Sequence, residues 1–94
     1  MLDVREDNEW VAGHAPEAIH VPMGQISQRL DELSAAFGQD RVHVVCRSGG
    51  RSAKVTTYLK QAGWDAVNVE GGMRAWAAAG RPMAAESGGP PQVV

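Results

Sequence analysis

The chain has 94 residues, a size that suits one domain. Its 44% apolar and 21% charged residues fit a globular rather than a disordered chain, and a formal net charge of -2 argues against a general nucleic-acid binder. No run is long enough to span a bilayer, no basic-then-apolar leader is visible, and a lone cysteine makes neither an internal disulfide nor a multi-cysteine metal site, so a cytoplasmic, reducing setting is expected, with no nucleic-acid or membrane partner.

In chain order, "MLDV" reads as a very short strand that runs into the charged turn "REDNE". Asp7 or Asn8 is placed to cap a short helix carrying Trp10 and Val11, with Gly13 as its stop. "EAIHVP" reads as a second short strand closed by Pro22. In "GQISQRLDELSAAFG", Ile26, Leu30, Leu33 and Phe37 fall at spacings of four, three and four, which is one helical face, and Gly38 ends it.

"RVHVVC" follows as an apolar strand, with a central position buried on both faces expected for it. "RSAKVTTYLKQAG" reads as a helix, "WDAVNVE" as a strand, and "GGMRAWAAAG" as a turn and a short helix. Alternation of strands and helices implies an α/β fold with a mostly parallel sheet covered on both faces. The tail "AAESGGPPQVV" is rich in small residues, glycine and proline, and is expected to be flexible, leaving residues 1–83 as the domain and 84–94 as a C-terminal tail.

The sole cysteine sits in "VVCRSGGRSA", at the end of the most apolar strand. Ligands of open α/β sheets bind beyond the carboxyl ends of strands, which is where Cys46 falls. Gly49 and Gly50 permit close backbone approach and a nest of N–H donors at a helix start, while Arg47 and Arg51 add positive charge. All of these lower a cysteine pKa. The plainer alternative is a cysteine packed at a strand end beside solvent-facing arginines. A nucleotide phosphate loop does not fit, because its glycine spacing and Lys-Ser/Thr pair are missing.

This arrangement resembles a single-domain rhodanese, a sulfurtransferase family. The resemblance rests on the loop Cys46-Arg47-Ser48-Gly49-Gly50-Arg51-Ser52, on "LDVRE" at 2–6, on "GHAPEAIHVP" at 13–22 and on "GGMRAWAAAGRP" at 71–82. It implies a rhodanese-like three-layer sandwich with a mostly parallel central sheet, here lacking the N-terminal edge strand. An exposed sheet edge of that kind raises the expectation of a homodimer or a protein partner. Glu17 stands where glycine is usual in the second landmark.

The resemblance also implies a chemistry. Cys46 would be the nucleophile, taking the outer sulfur of thiosulfate or a related persulfide and passing it to a thiol acceptor such as glutathione or thioredoxin. Backbone N–H groups of about residues 47 to 51 would cradle the sulfur, so that Arg47, Ser48, Gly49, Gly50, Arg51 and Ser52 form the substrate-binding set. Arg47 would brace the loop against Asp3, and Arg51 would take the anionic end of thiosulfate. Arg5 would stand at the mouth of the site. Ser52 would cap the following helix or donate to the sulfur.

The loop has six positions from Cys46 to Arg51, one fewer than in related phosphatases, which favours sulfur over a phosphate ester. A cysteine-dependent phosphatase or arsenate reductase is the lesser alternative, and a sulfur carrier or binding module serving a protein partner is the nearer one. His14, His20 and His43 match no zinc spacing, so no metal or cofactor is expected. Trp10, Trp64 and Trp76 are expected to pack between elements.

Overall fold

The computed structural model describes residues 1–94. Four strands form one parallel sheet: β1 (Leu2–Asp3), β2 (Ile19–His20), β3 (Val42–Val45) and β4 (Ala66–Asn68), in the order β2-β1-β3-β4. Parallel neighbours need crossovers, and helices supply them: α1 (Asp7–Ala12), α2 (Leu30–Phe37), α3 (Gly50–Gln61) and, after β4, α4 (Gly72–Ala78). The α/β expectation is met, with β1 and β3 in the centre and β2 and β4 at the edges.

Strand alternation divides the core into two faces. Leu2, Val4, Val42, Val44 and Cys46 pack with Val55 and Leu59 of α3 and Leu33 of α2. On the opposite face Val45 and Ala15 pack with Met73 of α4, flanked by Trp76, Met83 and Val93. Each fully buried Leu or Val contributes about 1.5–3 kcal/mol, so the larger face dominates the stability. Burial of β3 on both faces holds at Val45 and fails at His43. His43 is exposed, because its side of the sheet opens into a surface cleft of about 400 Å³ with Met1, Val69 and Trp76 on its walls.

The segment before α2 also departs from the single helix that its periodicity suggests. Met23–Gln25 and Ser27–Arg29 form two tighter 3₁₀ turns, and the α-helix begins only at Leu30. Gly24 weakens the start, and Arg29 leaves the helical region at φ -117° and ψ 21°. The apolar positions nevertheless face the core, with Ile26 and Leu33 buried and Leu30 and Phe37 packed against them.

Helix α1 is capped by Glu6 rather than by Asp7 or Asn8. The Glu6 N–H donates to Glu9 Oε1 at 3.0 Å, closing a capping box with the third helical residue. The Trp10 indole stacks between two histidine rings, with centroids 3.6 Å away at His14 and 4.7 Å away at His20. Its N–H donates to Glu86 Oε1 at 3.0 Å.

That last contact belongs to the tail, where flexibility was expected. Ala84 pairs with His14 in an isolated antiparallel bridge, and the Glu86 and Gln92 N–H groups donate to Val11 O and Ala12 O. Gly13 allows this close approach, since a Cβ there would lie 2.5 Å from Gln92 O. The tail therefore runs along α1 through backbone bonds, which its small and proline-rich side chains do not reveal.

Candidate active site

The register sets the site. Asp3 of β1 lies opposite Val45 of β3, and the Val4 N–H donates to Val45 O at 3.0 Å. The chain leaving β1 therefore runs beside the chain leaving β3, and Arg5 and Cys46 emerge from neighbouring strand ends.

After β3 the chain turns sharply. Gly49 holds φ 115°, a left-handed conformation that only glycine adopts easily, and it is the N-cap of α3. The turn aims its N–H at the cysteine, 3.1 Å from Sγ. The Ser52 hydroxyl lies 3.3 Å from Sγ on the first turn of α3. Cys46 itself is 1% exposed. Burial pushes its thiol pKa up, but the Ser52 hydroxyl and the N–H groups of Ser52, Gly49 and Ser48 pull harder, and the net effect lies below the ordinary thiol value.

Helix α4 holds the loop from behind. The Met73 N–H donates to Cys46 O at 2.8 Å and the Arg74 N–H to Arg47 O at 3.0 Å. Gly72 makes this contact possible, since a Cβ there would lie 2.5 Å from Cys46 O and 2.6 Å from Arg47 C. From β4, Asn68 reaches across. Its Nδ2 donates to Gly49 O at 3.2 Å, and its Oδ1 lies 2.5 Å from Ser52 Oγ.

The arginines take other places than the sequence suggests. Arg47 and Asp3 do not pair. Arg47 Nε donates instead to Val94 O at 3.1 Å, and Asp3 binds Arg5, whose Nη2 lies 2.7 Å from Asp3 Oδ2 and 2.8 Å from Gly13 O. Arg5 is wholly buried, so it does not stand at the mouth. The physical reason is adjacency: Asp3 and Arg5 are two residues apart on the extended chain, so their side chains fall on the same side.

Arg51 forms a two-pronged ion pair with Glu9, Nη1 to Oε1 at 2.6 Å and Nη2 to Oε2 at 2.8 Å. That guanidinium draws the Glu9 carboxyl down to about 2. Ser52 is the third residue of α3 rather than its cap, and Gly50 opens the helix with its N–H outside the sulfur's contacts. Ser48 is exposed and acts on the sulfur through its backbone.

Glu9, Asn68 and Gly72 are the site residues that sequence reasoning missed. Glu9 carried a signal, as the acidic residue three places after Glu6 that completes a capping box. Asn68 is a polar residue in the apolar run "AVNV". Its reach to the loop depends on the pairing of β3 with β4, which no local pattern contains.

The arrangement favours a thiolate: one buried cysteine at a sheet's carboxyl edge, met by N–H and O–H donors, with paired charges around it. Comparison with known proteins agrees. The rhodanese-like domain family matches residues 1–79. The chain is 44% identical over 94 residues to thiosulfate sulfurtransferase 16, chloroplastic, of Arabidopsis thaliana, an alignment spanning 89% of this chain and 78% of that one. It is 39% identical over 90 residues to a sulfurtransferase of Allochromatium vinosum, spanning 94% and 80% of the two chains. A crystal structure of a rhodanese-like domain protein from Staphylococcus aureus superposes with a TM-score of 0.73 at 46% identity, covering 80% of this chain and 71% of that one. On its loop, its sheet and these matches, the chain belongs to the rhodanese-like domain family.

Proposed function

We propose that this protein transfers sulfane sulfur through a persulfide on Cys46. The observation that supports this most directly is the cradle: Sγ receives the Gly49 N–H at 3.1 Å, lies 3.3 Å from the Ser52 hydroxyl, and is held toward the thiolate by those donors. A thiolate is the nucleophile that attacks a sulfane sulfur, and fixed donors stabilise the negative charge that remains on sulfur afterwards.

In the first half-reaction the Cys46 thiolate forms a bond to the donor's outer sulfur. The donor's S–S bond breaks, and its electron pair leaves with sulfite when thiosulfate is the donor, or with a thiolate when an organic persulfide is. In the second half-reaction an acceptor thiolate attacks the outer sulfur of the Cys46 persulfide. The new bond forms on the acceptor, and the electron pair returns to Cys46 Sγ. Glutathione or a protein thiol such as that of thioredoxin has the chemistry of the acceptor.

Intact mass spectrometry tests this reading. The chain is mixed with thiosulfate or with an alkyl persulfide, then treated with cyanide. A gain of one sulfur atom that cyanide removes and Cys46→Ser abolishes is the expected result. Failure of both donors to load the chain overturns it. Loading that is discharged only by a protein partner favours the carrier reading over general turnover.

A further inference from the structure

The cations that would hold a doubly charged donor are partly engaged elsewhere. Both terminal nitrogens of Arg51 are committed to Glu9, at 2.6 and 2.8 Å. Arg5 is buried against Asp3 and Gly13 O, and Arg47 reaches Val94 O. Arg74, next to the loop, is exposed at the start of α4, where its charge is screened by water. Glu6 adds an exposed carboxylate on the Glu9 side, close enough to act on Arg51.

The remaining groups at the sulfur are uncharged donors, the Gly49 N–H and the Ser52 hydroxyl. They can accommodate one added sulfur, but they do not neutralise a sulfonate. The Glu9 side chain is only 11% exposed, so its pairing is more than a loose surface contact. A thiosulfate dianion reaching Arg51 finds the fork of the guanidinium taken by Glu9, is left with the N–H groups outside that fork, and faces the Glu9 carboxylate at short range.

We infer that Glu9 is a specificity-determining residue, which masks Arg51 and turns this site away from thiosulfate toward organic persulfides with an uncharged carbon substituent. The inference rests on the sulfur-transfer reading above. Both donors lead to the same Cys46 persulfide. With R–S–SH, the Cys46 thiolate bonds the outer sulfur and R–S⁻ departs with the electron pair. With thiosulfate, sulfite departs instead, and its charge must be carried by the site during attack.

The test is a ratio. The loading rate of Cys46 by thiosulfate is divided by its loading rate by an alkyl persulfide, in wild type, E9Q and E9D. E9Q keeps an oxygen for the Glu6 N–H but loses the charge, and it is expected to raise the ratio about tenfold, the order of one charge-assisted hydrogen bond. E9D keeps the carboxylate and is expected to stay near the wild-type ratio. E9S supplies a second uncharged replacement should E9Q fail to fold. A ratio that does not rise in the uncharged variants, or that rises equally in E9D, overturns the assignment. Failure of both donors to load wild type is a different outcome, and it overturns the sulfur-transfer reading on which the assignment rests.

Discussion

The Ser52 hydroxyl stands between the Cys46 sulfur and the Asn68 carboxamide, 3.3 Å from Sγ and 2.5 Å from Oδ1. A serine has one proton to donate, and Gly49 O is a third acceptor at 3.2 Å. The proton that supports the thiolate is therefore shared with β4. Asn68→Asp places a carboxylate where the amide oxygen lies, capturing that proton and adding a like charge near the sulfur. The Cys46 pKa is expected to rise, read from the pH dependence of iodoacetamide alkylation. Ser52→Ala is expected to shift it in the same direction. A fall in either variant would contradict the arrangement.

Asp3 and Arg5 test a different property. Both are 0% exposed, and Arg5 Nη1 is buried without a hydrogen-bond partner. Asp3→Ala leaves a buried guanidinium uncompensated and is expected to cost about 3–5 kcal/mol in urea denaturation. That is a large share of the stability of a domain this small. The double variant Asp3→Leu with Arg5→Met removes both charges and is expected to recover most of the loss. Equal instability of the single and double variants would show that the pair does more than neutralise itself.

Acid denaturation should show the Glu9 pair. Its carboxyl is held at about 2 in the folded protein, against an ordinary value of 4.5. A lowered folded pKa means stability that is present above the unfolded value and lost as pH falls through the folded one. The window is therefore from about pH 4.5 down to about 2. Allowing for the 31% exposure of the Arg51 side chain, the contribution is about 2 kcal/mol. Glu9→Gln should flatten the fall in stability across that window, measured by urea midpoints at successive pH values. An unchanged slope would show that the pair does not contribute.

Gly72 gives the most local prediction. It has φ 59°, and a Cβ would overlap Cys46 O and the Arg47 carbonyl carbon. Gly72→Ala must push α4 away from the loop, breaking the bonds from the Met73 and Arg74 N–H groups. A loss of about 2 kcal/mol or more is expected, with the cysteine alkylated faster at a given pH than its thiolate fraction explains. Normal stability with normal reactivity would mean that the backbone absorbs the methyl group.

Local signals carried the order of elements and the position of Cys46, because strand ends, glycines and helical periodicity are short-range patterns. The charges were placed by family resemblance rather than by such patterns, and the structure pairs them differently. Arg47 and Asp3 looked like natural partners, yet Arg5 stands two residues from Asp3 on the same side and reaches it first. Arg51 looked free because its partner Glu9 is 42 residues away and packs against it only after β1 and β3 align. The tail illustrates a further reason. Its sequence is poor in large apolar side chains, and apart from Val93 its attachment runs through backbone N–H groups and Glu86, which composition does not register.

The burial of Cys46 has a consequence for durability. A thiolate is ordinarily the form most open to peroxide, which carries it through sulfenic to irreversible sulfinic and sulfonic acids. Here Cys46 is 1% exposed, and none of the four surface clefts has it on its wall. The rate of attack is therefore set by access to the residue as well as by thiolate fraction. The cradle thus separates two properties that usually rise together: it lowers the thiol pKa while burying the residue from casual oxidants.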